Sequence, residues 1–388
     1  MINFEDLREW QKKAYMKWVM NGNTGILLGC TGSGKSVAAL YCIQQVKATT
    51  IIIVPTIALM NQWREEIVKH LNIQFEEVGV IGDGNNSPKQ ITIAVVNSVR
   101  DMDLSYFEMI VLDEAHRYGS IENILPLMNN KFDNKLGLTA TLKRADGKDA
   151  DLEELIGKVV YTYTTEEAVK DGVLSEFSIV NIGIDLDVYD LDNYNAYTET
   201  INKDSFSDMY NVMKDSSNPN FVKACRAVRA TAKRKAIISN AEGKIKELVN
   251  IVKENKDKKI IVFNETIKMA EKERKALKKE GFECEIYHSK TKKQEAIERF
   301  RNNEVKILIS VKSLNEGLDV KDVDVMIRVA GTNQDRDTIQ RLGRGLRVVD
   351  GKTDATYYQI YCKDTLEKWQ ITKNTNVIKS ASEKVTWR

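Results

Sequence analysis

The sequence predicts an α/β chain of two parallel-sheet domains in tandem, with a mainly helical insertion in the second. Three observations predict it. Short apolar runs rich in β-branched residues, the pattern of strands buried on both faces, alternate with helical stretches. In the first half, successive runs end at polar motifs, and open parallel sheets gather their ligand groups at strand carboxyl ends. The alternation lapses over 142–186 and restarts at Lys259–Phe263, KIIVF. The expected division is 1–170 and 171–388, with a helical, partly basic insertion at about 186–240 and a short C-terminal tail.

Composition narrows the classes. The 388 residues are 42% hydrophobic and 29% charged, which suits soluble globular domains with sizeable cores. Net charge is +2, so a polyanion site has to be a local patch. Five scattered cysteines, Cys30, Cys42, Cys225, Cys284 and Cys362, form no CxxC pair. That argues against a zinc site or a disulfide framework and for a reducing compartment. The start, MINFEDLREW, has no apolar signal region. No apolar run approaches the roughly 18 residues that a membrane span needs. A cytoplasmic monomer without membrane association is expected.

In chain order, residues 4–20 form a first helix with Phe4, Leu7, Trp10, Ala14 and Trp18 on its apolar stripe. Arg8 and Gln11 lie on it. A Gln amide can donate to and accept from an adenine edge, although a solvent-facing Gln is the plainer reading. Thr24–Leu28 reads as a strand and Val37–Val46 as a helix. Between them Gly29–Ser36, GCTGSGKS, fits the phosphate-binding pattern G-x-x-x-x-G-K-[ST] at every fixed position. Gly29, Gly32 and Gly34 let the backbone close round an anion, with Thr31 and Ser33 between them. The loop N–H groups and the helix N-terminus then face the phosphates. Lys35 supplies a point charge for the β- and γ-phosphates and Ser36 a hydroxyl for Mg²⁺. ATP and Mg²⁺ are the expected ligands.

Ile51–Val54, Ile91–Val96, Met109–Leu112 and Leu136–Leu138 follow as strands. They end at Pro55-Thr56, Asn97-Ser98, Asp113–His116 (DEAH) and Thr139-Ala140-Thr141. Asp113 fits the Mg²⁺-side acid. Glu114 fits the base that orients and deprotonates an attacking water. A capped helix start would explain one carboxylate but explains two less well. His116 could relay between the phosphate and the second half, or be a packed histidine.

The second half carries strands at Lys259–Phe263, Glu283–Tyr287, Val305–Ile309 and Val323–Val329, but no phosphate loop. It has Glu316-Gly317-x-Asp319 after a strand, then Gln340-Arg341-x-Gly343-Arg344-x-x-Arg347. Arginines clustered this way are costly to desolvate without an anion. Arg344 and Arg347 therefore read as fingers serving the phosphates of the first domain. In the insertion, FVKACRAVRATAKRK from Phe221 puts Phe221, Ala224, Cys225 and Val228 on one helix face. Lys223, Arg226 and Arg229 lie on the other side with no acid between Asp215 and Glu242, which suggests a nucleic-acid backbone contact.

Taken together these motifs resemble superfamily 2 DEAD/DEAH-type helicases and translocases over about residues 7–347. LREWQ resembles the adenine-binding Q motif, GCTGSGKS motif I, VPTIALMNQW motif Ia and VVNSV motif Ib. DEAH resembles motif II, TAT motif III, IIVFNET motif IV, SLNEGLDV motif V and QRLGRGLR motif VI. GLTATLKRADG with LIGKVVY resembles the XPB-like, phage UvsW-like and restriction-motor-like branch. The resemblance implies two RecA-like domains with ATP between them. It implies nucleotide contacts at Arg8, Gln11, the loop, Asp113, Gly317 and Asp319, and catalytic roles for Lys35, Glu114, Gln340, Arg344 and Arg347. Nucleic-acid contacts are implied at Pro55, Thr56, Asn97, Ser98 and Asn264, and coupling at His116, Thr139 and Thr141. The branch's RED triplet reads Arg144-Ala145-Asp146 here, and Lys321 stands where proline is usual. The chain ends soon after motif VI, so a compact core motor is expected.

The leading expectation is an ATP-driven motor on nucleic acid, DNA favoured over RNA, with a nuclease or a repair or recombination protein as a candidate partner. The alternatives are a clamp or sensor that binds duplex without moving, the motor subunit of a nuclease complex, and an RNA helicase.

Overall fold

The computed structural model describes residues 1–388 except 31, 119–126, 128, 141–148, 289–293, 312–322, 331–353 and 380–381. Two units result, one of residues Met1–Glu176 and one of the described residues from Phe177 onward.

The first unit is built on eight strands: β1 (Thr24–Gly29), β2 (Thr50–Val54), β3 (Gly79–Gly82), β4 (Asn85–Ser87), β5 (Ile91–Val95), β6 (Met109–Asp113), β7 (Asn134–Thr139) and β8 (Val159–Tyr163). Their order is β4-β3-β5-β2-β6-β7-β1-β8, and every neighbouring pair is parallel except the β3–β4 hairpin. The inner strands read as apolar β-branched runs because both faces are covered; Ile51, Ile52, Ile53 and Val54 are fully buried. Helices α1 (Glu9–Met20), α2 (Lys35–Val46), α3 (Ile57–Leu71), α4 (Asp149–Ile156) and α5 (Thr165–Lys170) connect them.

Local chemistry sets the helix ends. Thr56 caps α3 by accepting from Leu59 N at 3.3 Å, and the helix stops at Asn72 in the left-handed region. The first helix is shorter than its apolar stripe predicts. Phe4–Asp6 form a separate tight turn, and α1 starts at Glu9, after Arg8 in extended backbone. Trp18, fully buried, pins α1 to the sheet by donating to Lys135 O at 2.9 Å.

The second unit holds β9 (Glu176–Ile184), β10 (Ile260–Asn264), β11 (Cys284–His288), β12 (Ile307–Val311), β13 (Val325–Arg328), β14 (Asp354–Cys362) and β15 (Lys384–Trp387) in the order β11-β12-β10-β13-β14-β9-β15. Its helices are α6 (Val188–Asp204), α7 (Met209–Val212), α8 (Phe221–Ser239), α9 (Glu242–Glu254), α10 (Ile267–Lys279), α11 (Gln294–Arg301) and α12 (Leu366–Ile378). The buried pair Lys244–Glu367, at 2.8 Å, joins α9 to α12, and Lys244 Nζ also donates to Val329 O.

Two expectations are revised. The stretch 142–186 contains strands β8 and β9, whose half-exposed or mixed burial dilutes the apolar run that marks the inner strands. The segment after 365 is integrated rather than a tail. α12 packs there, and β15 runs parallel to β9, with Arg388 N donating to Asn181 O at 2.8 Å.

Candidate active site

The first sheet brings its motifs to one edge. Register places Leu28 beside Thr139, Asp113 beside Leu138 and Val54 beside Val95, so the carboxyl ends of these strands are level. Across that edge lie Asn97-Ser98 after β5, Pro55-Thr56 after β2, Asp113-Glu114 at β6, Thr139 at β7 and the glycine-rich loop after β1. The sequential order of motifs is thus reshuffled, with motif III between motifs I and II.

The loop is shaped for an anion. Gly32 and Gly34 take φ of +83° and +95°, which L side chains rarely adopt. A Cβ on Gly34 would meet Gln11 Nε2 at 2.9 Å, and one on Gly29 would meet Lys35 Cγ at 3.3 Å. Ser33, fully buried, donates its hydroxyl to Cys30 O at 2.7 Å and braces the turn from inside. The Lys35 ammonium donates to Gly29 O at 2.8 Å and Cys30 O at 3.1 Å, in the mouth of the loop. Ser36 is half-buried on the first turn of α2. Glycines in left-handed backbone, an ammonium and a helix start fit a phosphate chain.

Arg8 and Gln11 hold the loop from behind. Arg8 Nη1 donates to Ser33 O at 2.7 Å, and Gln11 Nε2 donates to Gly34 O at 2.9 Å. Gln11 Oε1 accepts from Arg8 N at 2.8 Å. Gln11 is 3% exposed, and a buried amide requires such partners. In this structure it therefore clamps the loop to α1. A cavity of about 720 Å³ opens beside Arg8, lined among others by Trp10, Lys13, Tyr163 and Asp171. Trp10 stacks on Tyr163 at 4.8 Å, and Tyr163 donates to Asp171 at 2.9 Å.

The acids follow β6. Asp113 Oδ1 accepts from Glu114 N at 2.9 Å, and Oδ2 accepts from Trp63 Nε1 at 2.8 Å. Withdrawal from water pushes the Asp113 carboxyl above its ordinary range, against the pull of the Trp63 indole and the Lys35 ammonium. Glu114 is non-glycine yet sits at φ +52°, strained backbone of a kind that collects at functional sites. Its Oε2 lies 3.4 Å from His116 Nδ1, which is hydrogen-bonded to Thr139 Oγ1 at 3.0 Å. His116 and Thr139 are buried, so a polar chain runs from motif II to motif III inside the sheet edge. Among the described residues no three His, Cys, Asp or Glu gather in metal-holding geometry. The donor set of one carboxylate and one hydroxyl suits a cation that takes the rest of its oxygens from phosphate and water.

Sequence reasoning gave no role to Tyr118, or to Trp63, which closes the motif Ia stretch VPTIALMNQW. Tyr118, fully buried, donates to Ile53 O at 3.0 Å and ties the segment after the acids to β2. Trp63 belongs to the apolar face Met60, Trp63, Ile67, Leu71 of α3, where it reads as core. The available signal was its N–H, since a buried tryptophan usually finds an acceptor.

Other predicted residues divide four ways. Asn97 and Ser98 are exposed; Pro55 and Thr56 are half-buried. Asn264 is 4% exposed and donates to the buried carboxyl group of Glu273 at 2.7 Å, so its side chain faces the interior. In α8 the buried face is Ala224, Ala227 and Ala230, rotated from the predicted one because α6 packs there on small residues. Its basic residues do have partners, on other elements. Arg226 pairs with Asp204 at 3.0 Å and Lys235 with Glu265 at 3.0 Å, while Lys233 and Arg234 lie over Tyr197 and Tyr194. Arg229 is exposed and Lys223 half-buried. Thr31, Thr141, Gly317, Asp319, Gln340, Arg344 and Arg347 lie outside the described residues, as do Arg144–Asp146 and Lys321.

The class follows from two parallel sheets and a phosphate loop with acids and a threonine level beside it: tandem RecA-like domains of the helicase type. The fold is shared with the Pyrococcus furiosus Hef helicase domain, at TM-score 0.64 and 16% identity over 95% of this chain and 98% of that one. Residues 4–144 match the family described as type III restriction enzyme, res subunit, and residues 243–349 the helicase conserved C-terminal domain. The DNA 3'-5' translocase XPB2 of Sulfurisphaera tokodaii is 30% identical over 378 residues, 93% of this chain and 83% of that protein. The DNA 3'-5' helicase XPB of Mycobacterium tuberculosis is 24% identical over 93% of this chain. The chain spans 50% to 61% of the length of that protein and three further curated relatives. It belongs to the XPB-like branch of the superfamily 2 helicases and translocases, which are nucleic-acid-dependent ATP hydrolases.

Proposed function

We propose that this protein is a DNA translocase or branch-remodelling motor, moving 3' to 5' by hydrolysing Mg²⁺-ATP. The observation that carries the reading is the single level edge holding the loop, the two acids and the Glu114–His116–Thr139 chain. The loop backbone and Lys35 bind the phosphates. Ser36 and Asp113 hold Mg²⁺, which when bound offsets phosphate charge as the transfer proceeds. Glu114 accepts the proton of the attacking water. His116 and Thr139 pass the state of that carboxylate along the edge. Arg344 and Arg347 stabilise the transferring phosphoryl group, worth on the order of 10³ or more in kcat by analogy with arginine fingers. Asn97 and Ser98, with the Thr56 end of α3, face the DNA backbone. Among the described residues no helix is long and apolar enough to cross a membrane. We take the working form to be a cytoplasmic monomer that engages a nuclease or repair protein.

The test is the ATPase rate with single-stranded DNA, duplex DNA, branched DNA and RNA in parallel, with displacement of a triplex strand as the readout of movement. Stimulation by duplex or branched DNA together with displacement is expected. Stimulation by RNA alone would overturn the DNA reading. DNA-stimulated hydrolysis without displacement would favour a clamp.

A further inference from the structure

Asp113 is held from two directions. Its own chain supplies the Glu114 N–H to Oδ1, and Trp63, on another element, supplies the indole N–H to Oδ2. An ionised carboxylate offers about four lone-pair sites, so two remain for a cation or its water. Trp63 is 3% exposed and stands within the buried face of α3, which fixes its ring. It lies seven residues beyond the Thr56 cap, about 10 Å along the helix axis. α3 is thus a rigid bar, with the motif Ia cap at one end and a donor to the metal-side acid two turns along. Tyr118, donating to Ile53 O, fastens the other side of the same acidic motif to β2, the strand that leads into α3.

We propose that Trp63 is a positioning residue for Asp113, and that through it α3 sets how readily this carboxylate takes Mg²⁺. The indole bond fixes the side-chain torsion of Asp113 and leaves two lone-pair sites of the carboxylate for a cation or its water. A small shift of α3 at its Thr56 end then alters the Mg²⁺ requirement, so DNA contact and metal binding share one mechanical element. This rests on the reading of Ser36 and Asp113 as the Mg²⁺ side of the site.

The test is equilibrium binding of a fluorescent ATP analogue to the full chain, titrated with Mg²⁺, with folding checked by thermal melting. Trp63→Phe removes the donor and keeps an aromatic ring. Incorporating 3-benzothienylalanine at position 63 keeps the bicyclic shape without the N–H, and serves if Trp63→Phe folds poorly. The half-saturating Mg²⁺ concentration should rise about ten- to a hundredfold, as for lost outer-shell partners of metal ligands. Affinity for the analogue in EDTA should stay at the wild-type value, because the loop is untouched. In an Asp113→Asn background the same change should add nothing, the signature of a direct pair. Tyr118→Phe should lower the melting temperature without moving the Mg²⁺ requirement. An unchanged Mg²⁺ requirement for the donor-less variants, or an equal rise in Tyr118→Phe, overturns the role of Trp63. Saturating duplex DNA should shift the requirement in wild type and not in the variant. Equal shifts, or none in either, remove α3 as the route. Wild-type binding with no Mg²⁺ dependence would instead sink the site reading itself.

Discussion

Adding one methyl group at Gly34 tests whether backbone geometry makes the phosphate loop. Gly34 has φ +95°, and an ideal Cβ there lies 2.9 Å from Gln11 Nε2. The left-handed conformation costs an L residue roughly 1–2 kcal/mol. Relieving the clash moves the Gln11 amide off Gly34 O, where it donates at 2.9 Å, losing a further ~1 kcal/mol. Gly34→Ala should therefore destabilise the first unit by about 2–3 kcal/mol. A shift of about 2–4 °C per kcal/mol is usual at this size, so its melting should fall by roughly 4–12 °C. Nucleotide affinity should fall as well, because the N–H groups of the loop no longer converge. Gly22→Ala is the control. Its φ is +69° with nothing within 4 Å of the added Cβ. It should incur the backbone term and leave nucleotide affinity intact. Calorimetry and equilibrium nucleotide binding on both variants decide the matter. If Gly34→Ala melts and binds like wild type, the left-handed turn and the Gln11 clamp do not shape the site.

Glu114→Gln should bind nucleotide near normally and lose about 10²–10⁴ in kcat, since the amide cannot take the water's proton; loss of binding with kcat retained would reverse the assignment. Changing Lys223 and Arg229 together to Gln should reduce the slope of log DNA affinity against log salt by about two, near 0.9 per phosphate contact. Arg226→Gln should instead lower stability, because Asp204, with 5% of its side chain exposed, loses its partner. An unaltered salt slope in the double variant would return α8 to an ordinary solvated surface. Glu273 has its pKa raised to about 8, mainly by burial. Its folded form thus holds a proton that the unfolded chain releases near pH 4.5, so its contribution is full below that pH and fades as pH rises through about 8. Glu273→Gln should flatten the decline of melting temperature between pH 5 and 8; an unchanged profile would show that Glu273 does not titrate there.

The motifs of the first sheet were legible because each carries its own chemistry at fixed spacing. A glycine pattern around a Lys, two acids after an apolar run and a Thr after another are local, and a strand's carboxyl end is where a parallel sheet must put them. Strands β8, β9 and β15 were not legible. They lie at or next to the edge of their sheets, where burial is uneven and the apolar signal dilutes.

By itself the sequence determined the α/β alternation, the glycine pattern around Lys35 after β1, the place of Asp113 and Glu114 at the end of β6, and the family. Those follow from backbone conformations that only glycine accepts readily and from periodicities that span a few residues. The tertiary structure decided who touches whom. It brought Thr139 between motifs I and II by strand order, gave Arg226 an acid 22 residues away in sequence, turned Gln11 onto Gly34 O and aimed Trp63 at Asp113. Such pairings join residues remote in the chain, and they are set by which strands neighbour one another and how helix faces rotate on packing. Neither is written in any local spacing, because a side chain's partner depends on the position of an element folded elsewhere.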